Sequence, residues 1–227
     1  MQLPKLDHRL QSAVPFVRQG AVVADVGTDH AYLPLVLTGT GQARAAVASD
    51  INAGPIERAA QHVAEYGLSD KVKTVRADGL DGIEPYHPTD IIIFGMGGEL
   101  IARIIADAKW VQNDTVRLIL QPMTHAECVR RYLAETGFQI IDEVLSKESG
   151  KIYQTIVAEY NGVPYPVDDV TAELGRFAEK TASPSPHRAE LIAHRIEVLT
   201  AAVNGKEKAG ADTSAERRFI ERLRECL

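Results

Sequence analysis

Short runs of apolar residues, each closed by a turn, recur through the first 160 positions. Val22–Val26 ends at Gly27, Ala45–Ile51 at Asn52, Val72–Ala77 at Asp78-Gly79, Ile91–Phe94 at Gly95 and Leu118–Leu120 at Gln121-Pro122. Runs of this length and density suit strands covered on both faces. Between them the apolar period lengthens to that of a helix. Pro55–Tyr66 puts Ile56, Ala59, Ala60 and Val63 on one side, and Glu99–Ala108 and His125–Thr136 behave alike, the last stopping at Gly137. Alternating strands and helices predict a parallel sheet with helices on both faces.

After the fifth strand the pattern changes. Phe138–Leu145 and Ile152–Tyr160 both read as strands, with only residues 146–151 between them. No crossover helix fits there, so the two form an antiparallel hairpin. Residues 161–166 (NGVPYP) mark a boundary, which divides the chain into 1–162 and 163–227. Beyond it, helical spacing returns in Asp168–Thr181, in Ala189–Val203 (Ile192, Ile196, Leu199, Val203) and in Ala215–Leu227 (Phe219, Leu223), with a break at 183–186 (SPSP). The last two suggest an antiparallel helical hairpin, either packed as a subdomain or projecting as a coiled-coil arm. The fold class is therefore α/β: five parallel strands, a terminal antiparallel hairpin and a helical C-terminal subdomain.

With 45% hydrophobic and 25% charged residues in 227, the chain is ordinary globular material. No window approaches a membrane span of about 18 apolar residues, and Met1–Val17 does not look like a secretory signal. Two cysteines, Cys128 and Cys226, and seven scattered histidines show no metal-binding spacing, so a metal is not expected. The expected location is the cytoplasm and the expected state a monomer. The net charge of −6 is uneven: residues 1–175 hold 15 Lys and Arg against 23 Asp and Glu, a net of −8, while residues 176–227 hold 10 against 8, a net of +2. A polyanionic partner would favour the tail.

Ligands of open α/β sheets bind beyond the carboxyl ends of the strands. The first strand end reads Asp25-Val26-Gly27-Thr28-Asp29-His30. Gly27 allows close backbone approach, but the G-x-G-x-x-G fingerprint is missing and Asp29 would repel a pyrophosphate. That disfavours a dinucleotide and favours a cationic, phosphate-free ligand such as S-adenosylmethionine. Asp50-Ile51 follows the second strand, 23 residues after Gly27, where a carboxylate can hold ribose hydroxyls or simply cap the next helix. Asp78-Gly79-Leu80 follows the third, where it can meet an adenine edge or simply form a turn. Gly95-Met96-Gly97-Gly98 follows the fourth, its glycines serving either a ligand or tight helix–strand packing. Four such ends facing one crevice resemble the Rossmann-like S-adenosylmethionine-dependent methyltransferases.

The stretch 25–34 (DVGTDHAYLP), with Asp78-Gly79-Leu80, residues 95–101 (GMGGELI) and 118–122 (LILQP), resembles more closely the bacterial tRNA adenine-N1 methyltransferases acting on position 22, the TrmK family. The likeness runs over residues 3–160; the C-terminal helices match in kind only. It implies S-adenosylmethionine as cofactor and tRNA as substrate and partner. It also implies a cofactor site along Asp25, Gly27, Thr28, His30, Asp50, Ile51, Asp78, Gly79, Leu80 and Gly95–Gly98, with Asp29 and Tyr32 facing the target base. In such a reaction adenine N1 attacks through its own lone pair, and a carboxylate such as Asp29 near N6 would stabilise the cation that develops. Tyr32 or Phe94, and less directly Tyr86 and His87, are candidates for stacking on an opened base. The N-P-P-Y signature of exocyclic-amine methylases is absent after the fourth strand, which argues against N6 as acceptor. Lys5, His8 and Arg9 on an N-terminal helix, with Arg188, Arg195, Arg217, Arg218, Arg222 and Arg224 in the tail, are candidates for contact with the RNA. The competing readings are a related methyltransferase acting on another RNA site or on a small molecule, and a cofactor-binding protein without transfer.

Overall fold

The computed structural model describes residues 2–179 and 185–227. By their contacts they form two units, 1–165 and 166–227.

The first unit is built on one seven-stranded sheet. Its strands are β1 (Ala21–Val26), β2 (Ala43–Asp50), β3 (Val72–Arg76), β4 (Asp90–Gly97), β5 (Arg117–Thr124), β6 (Phe138–Glu148) and β7 (Lys151–Tyr160), in the order β3-β2-β1-β4-β5-β7-β6. β1 to β5 run parallel. β7 enters antiparallel beside β5 and pairs antiparallel with β6. The helices are α1 (His8–Gln11), α2 (Tyr32–Gly39), α3 (Ala53–Glu65), α4 (Gly98–Asp107) and α5 (Ala126–Thr136).

Neighbouring side chains on one strand go to opposite cores, and those two apart share one, as the pleat requires. Ala24, Val26, Ile91, Ile93, Leu118, Leu120 and Ile156 fill one layer with α4 and α5. Val23, Ile92, Phe94, Ile119 and Val157 fill the other with α2 and α3. Every residue of β1 is buried.

Several buried charges are paired. Asp90, fully buried at the start of β4, accepts from Arg18 N (2.7 Å) and Arg18 Nε (2.8 Å). Arg130 of α5 donates through Nε to Glu143 of β6 (2.7 Å) and through Nη2 to Gln154 of β7 (2.8 Å), fastening the terminal hairpin to the helix that precedes it. Gln121 Nε2 reaches Thr155 Oγ1 and Ser12 Oγ, which ties the N-terminal segment across β5 and β7.

Three local expectations change. The hairpin turn is not six residues long: β6 runs to Glu148 and β7 starts at Lys151, so only Ser149 (φ 49°) and Gly150 (φ 78°) turn the chain. Two positive φ values give the turn type whose twist matches the paired strands, so the polar residues beside it stay in the ladder. β4 does not stop at Phe94 but continues through a bulge to Gly97, with Gly95 left-handed at φ 80°. The N-terminal helix is a single turn, which begins after Lys5.

The second unit contains α6 (Asp169–Leu174), α7 (Arg188–Lys208) and α8 (Ser214–Glu225). α7 and α8 lie against each other, and Val170, Leu174, Ile192 and Leu223 make a common core with Ile196, Leu199 and Phe219 at its edge. The helix expected over 168–181 ends at Leu174, where Gly175 takes φ 58° and a short 3-10 turn follows. Its last two positions, and Ser183-Pro184 of the expected break, lie outside the described residues. Sequence spacing on the last helix offers like-charge neighbours, yet the tail arginines find carboxylates at other distances. Arg217 pairs with Glu207 (2.7 Å), Arg222 with Asp168 (3.0 Å), Arg224 with Glu221 and Arg195 with Glu173.

Two glycines test the packing. A Cβ on Gly98 would collide with the backbone carbonyl of His125, which cannot yield, whereas the space around Gly205 in α7 is open. Gly98→Ala is expected to cost at least about 2 kcal/mol, and Gly205→Ala to add about 0.5–1 kcal/mol. Chemical denaturation of both variants gives the comparison; a neutral Gly98→Ala would contradict the backbone contact.

Candidate functional site

The strand order reverses between β1 and β4, and ligands of such sheets gather at the carboxyl ends of the strands flanking that point. The chain leaves β1 through a constrained turn. Gly27 adopts φ 80°, and the N–H groups of Gly27 and Thr28 both donate to the Ser49 carbonyl (2.8 and 2.9 Å). Ala31, left-handed at φ 55°, then starts α2, and its N–H donates to Thr28 Oγ1 (3.1 Å).

Beside this turn opens a cleft of about 470 Å³, lined by Asp7, Arg9, Leu10, Asp25, Gly27, Thr28, Asp29, His30, Tyr32, Phe94, Gly95 and Met123 among others. Asp25 lies at its buried side. Burial pushes its carboxyl up to about 6, against the opposing pull of the Thr28 hydroxyl and the Arg9 charge. Arg9 lies near the bare backbone of Gly95, 3.9 Å from where a Cβ would stand, and over the ring of Tyr153.

Asp29, at the exposed rim, is held on both sides. Its Oδ1 accepts from Arg58 Nη2 at 2.5 Å, and its Oδ2 lies 3.2 Å from His30 Nε2. The Arg58 guanidinium keeps the Asp29 carboxyl below the ordinary range. His30, Tyr32 and His62 stack as three near-parallel rings with centroids 5.1–5.7 Å apart. His62 Nδ1 lies 3.1 Å from the His30 carbonyl, and His30 Nδ1 is buried with no hydrogen-bond partner among the described residues.

A second, larger cavity of about 720 Å³ lies between the loop after β3 and α4. It is lined by Asp78, Gly79 and Leu80 together with Arg103, Ile104, Asp107 and Trp110. The convergent buried acid, unpartnered imidazole and bare glycine backbone belong to the smaller cleft, which is therefore where the chemistry is placed.

The expected site residues thus divide. Asp25, Gly27, Thr28, Asp29, His30, Tyr32 and Gly95 line the cleft, with Phe94, which is 7% exposed, at its wall. Asp78, Gly79 and Leu80 line the larger cavity. Asp50, Ile51, Met96, Gly97 and Gly98 line neither. Asp50 Oδ1 accepts from the Asn52 backbone N–H at 2.7 Å, and Ile51 is exposed. Met96 brings its terminal methyl close to where a Cβ of Gly27 would stand, but that flexible end can yield, so it is the positive φ that calls for glycine. Gly97 precedes α4 as its N-cap, and Gly98 is fixed by the His125 carbonyl. Tyr86 is not near the cleft: it lines a shallow hollow with Val22, Arg44 and Lys73, at the starting ends of the strands.

Sequence reasoning missed Arg58 and His62. They stand four apart on α3, on one side of the helix, but the apolar side alone was read there. It also missed a side-chain cluster after β5, where Glu99, His125 and Cys128 meet.

Residues 6–156 match the methyltransferase-domain family. The chain is 38% identical over 171 residues to the tRNA (adenine(22)-N(1))-methyltransferase of Bacillus subtilis, covering 75% of this chain and 72% of that one. The crystal structure of the B. subtilis M1A22 tRNA methyltransferase TrmK superposes with a TM-score of 0.84 at 31% identity, covering 98% of each chain. Streptococcus pneumoniae Sp1610 in complex with S-adenosyl-L-methionine superposes with a TM-score of 0.85 at 33% identity, covering 98% of this chain and 100% of that one.

Asp25 gives a measurable consequence. Its folded pKa, about 6, lies above the ordinary 3.8, so its protonated form is favoured in the fold. Stability linked to this group is complete below about pH 4 and is lost as pH rises through about 6. Asp25→Asn should therefore match the parent protein in acid and exceed it at neutral pH by about 2–3 kcal/mol. Denaturant melts across that window give the difference, and a pH-independent gap would contradict the burial.

Proposed function

The chain belongs to the bacterial tRNA (adenine(22)-N(1))-methyltransferases of the methyltransferase-domain family, and from that premise we propose that it methylates N1 of adenine 22 in tRNA, using S-adenosylmethionine. The observation that carries the reading is the cleft at β1 and β4. A buried carboxylate, Asp25, and a bare left-handed glycine, Gly95, lie on one side; a second carboxylate, Asp29, stands beside stacked rings at the rim.

These residues fit a ligand that is cationic at sulfur and nitrogen. Asp25 supplies a negative charge with little competing water, the unpartnered His30 Nδ1 supplies a polar contact, and Gly95 leaves room for close approach. Asp50 Oδ2 accepts no hydrogen bond among the described residues, which suits a ribose hydroxyl, and Asp78-Gly79-Leu80 border the space for a base. When bound, S-adenosylmethionine supplies a methyl group activated by its sulfonium. The residues proposed to hold it are Asp25, Gly27, Thr28, His30 and Gly95 in the cleft, with Asp50, Ile51, Asp78, Gly79, Leu80, Met96 and Gly97 at the neighbouring strand ends; Gly98 serves the packing of α4 on the His125 carbonyl.

Asp29 and Tyr32 are proposed to act on the base. Adenine N1 carries an in-plane lone pair, so the chain needs no strong base and no metal for the transfer; orientation does most of the work. The product base is cationic. Asp29, kept ionised by Arg58, stands ready to stabilise that charge as it grows. N1 lies on the pairing edge, so the base must leave its stack, and the His30–Tyr32–His62 rings offer a replacement surface.

RNA binding, a cytoplasmic location and a monomeric working state belong to the same reading. No helix among the described residues is long and apolar enough to cross a membrane. In the proposed division, residues 1–162 hold the cofactor and residues 163–227 meet the RNA. Arg195, Arg217, Arg222 and Arg224 are ion-paired with carboxylates, so phosphate contact at these positions would exchange partners rather than fill vacancies.

The test is transfer of labelled methyl from S-adenosylmethionine to unmodified tRNA transcripts, with the product nucleoside identified by mass spectrometry. N1-methyladenosine is expected; N6-methyladenosine, or transfer to small acceptors only, would contradict the reading. In the same assay Asp29→Asn should lower kcat about 10–100-fold, with cofactor affinity little changed. Near-full turnover would remove Asp29 from its role. Arg218→Glu with Arg222→Glu should weaken tRNA binding about tenfold at low salt and reduce its salt dependence. Unchanged affinity would place the RNA elsewhere.

A further inference from the structure

The cluster after β5 lies among neither set of cleft-lining residues. Glu99 in the first turn of α4, His125 just before α5 and Cys128 in the first turn of α5 each offer one donor atom, and all three atoms lie within 4.8 Å of one another. Glu127 adds a carboxylate: its Oε1 is 2.9 Å from His125 Nδ1 and 4.0 Å from Cys128 Sγ.

The backbone holds this arrangement together. Gly98 packs directly on the His125 carbonyl, so the starts of α4 and α5 meet without side chains between them. His125 is itself left-handed (φ 54°, ψ 46°). A non-glycine residue is sterically strained in that region. The left-handed residue turns the chain between Thr124 and α5, where the donor atoms of His125 and Cys128 come together.

We propose that Glu99, His125 and Cys128, with Glu127 beside them, bind a divalent transition metal of the zinc class and thereby tie α4 to α5. The donor set selects the ion. One thiol, one imidazole and carboxylates suit zinc or cobalt, whereas magnesium and calcium favour oxygen alone. Bond lengths of about 2.0–2.3 Å require tetrahedral donors to stand closer than the present limit, and the exposed Glu99 side chain can swing in to close the gap. Binding releases the Cys128 thiol proton to solvent as the sulfur–metal bond forms. Two helix N-termini place partial positive charge nearby; a thiolate with two carboxylates outweighs it. Methyl transfer does not pass through this ion.

The test uses the full chain, stripped with a chelator and titrated with Co²⁺. A thiolate-to-cobalt charge-transfer band is expected at one equivalent. Cys128→Ser should abolish it and Cys226→Ser should leave it. Zn²⁺ at tenfold excess over its Kd should raise Tm by about 3 °C in the parent protein. His125→Asn should remove that rise, because asparagine tolerates the left-handed conformation but offers no imidazole. A band that survives Cys128→Ser, or no band and no Tm change in the parent protein, would overturn the proposal.

Discussion

The N–H groups of Gly27 and Thr28 share one acceptor, the Ser49 carbonyl, and this pairing governs the geometry of the cleft. It ties the end of β1 to the end of β2 and forces Gly27 into the left-handed region. The chain then rises through Thr28 to Asp29 and His30 before Ala31, also left-handed, admits it to α2. Asp25 is thereby left deep and Asp29 exposed, four residues later. Two carboxylates of one turn acquire opposite characters from position alone: burial raises the first, and Arg58 lowers the second.

This separation matters because the proposed reaction handles positive charge at two places. A cationic cofactor needs an anion that is shielded from water, where the attraction is not screened. A base that becomes cationic on methylation needs an anion that stays ionised and stands where the base arrives. Arg58 serves the second need by holding Asp29 charged, yet it also partly neutralises it. In the proposed reaction an arriving base would share or displace Arg58, which is ion-paired to Asp29 from α3.

Much of this was legible beforehand. The strand ends were readable because a doubly covered parallel strand is a pure apolar run, and its end is marked where polarity returns. The terminal hairpin followed from the lack of room for a crossover. Other features depend on contacts that local pattern does not carry. Lys147, Glu148 and Lys151 look like loop residues, but pairing across β6 and β7 keeps them in the ladder. Arg58 and His62 sit on the polar side of α3, where any solvated residue would look the same; only the fold brings them to Asp29 and His30. In sequence Gly98 suits either a ligand contact or tight packing, and the His125 carbonyl accounts for it by packing. Glu99 and Cys128 are distant in sequence, so no spacing rule joins them.

The proposed reaction is defined by position: one adenine, methylated at N1. The most direct measurement is primer extension on a tRNA transcript after reaction with the protein and S-adenosylmethionine, since a methyl on N1 blocks base pairing and stops the polymerase. A stop at position 22, absent when that adenine is replaced by guanine, is expected. A stop at another position, or one that persists after the replacement, would contradict it.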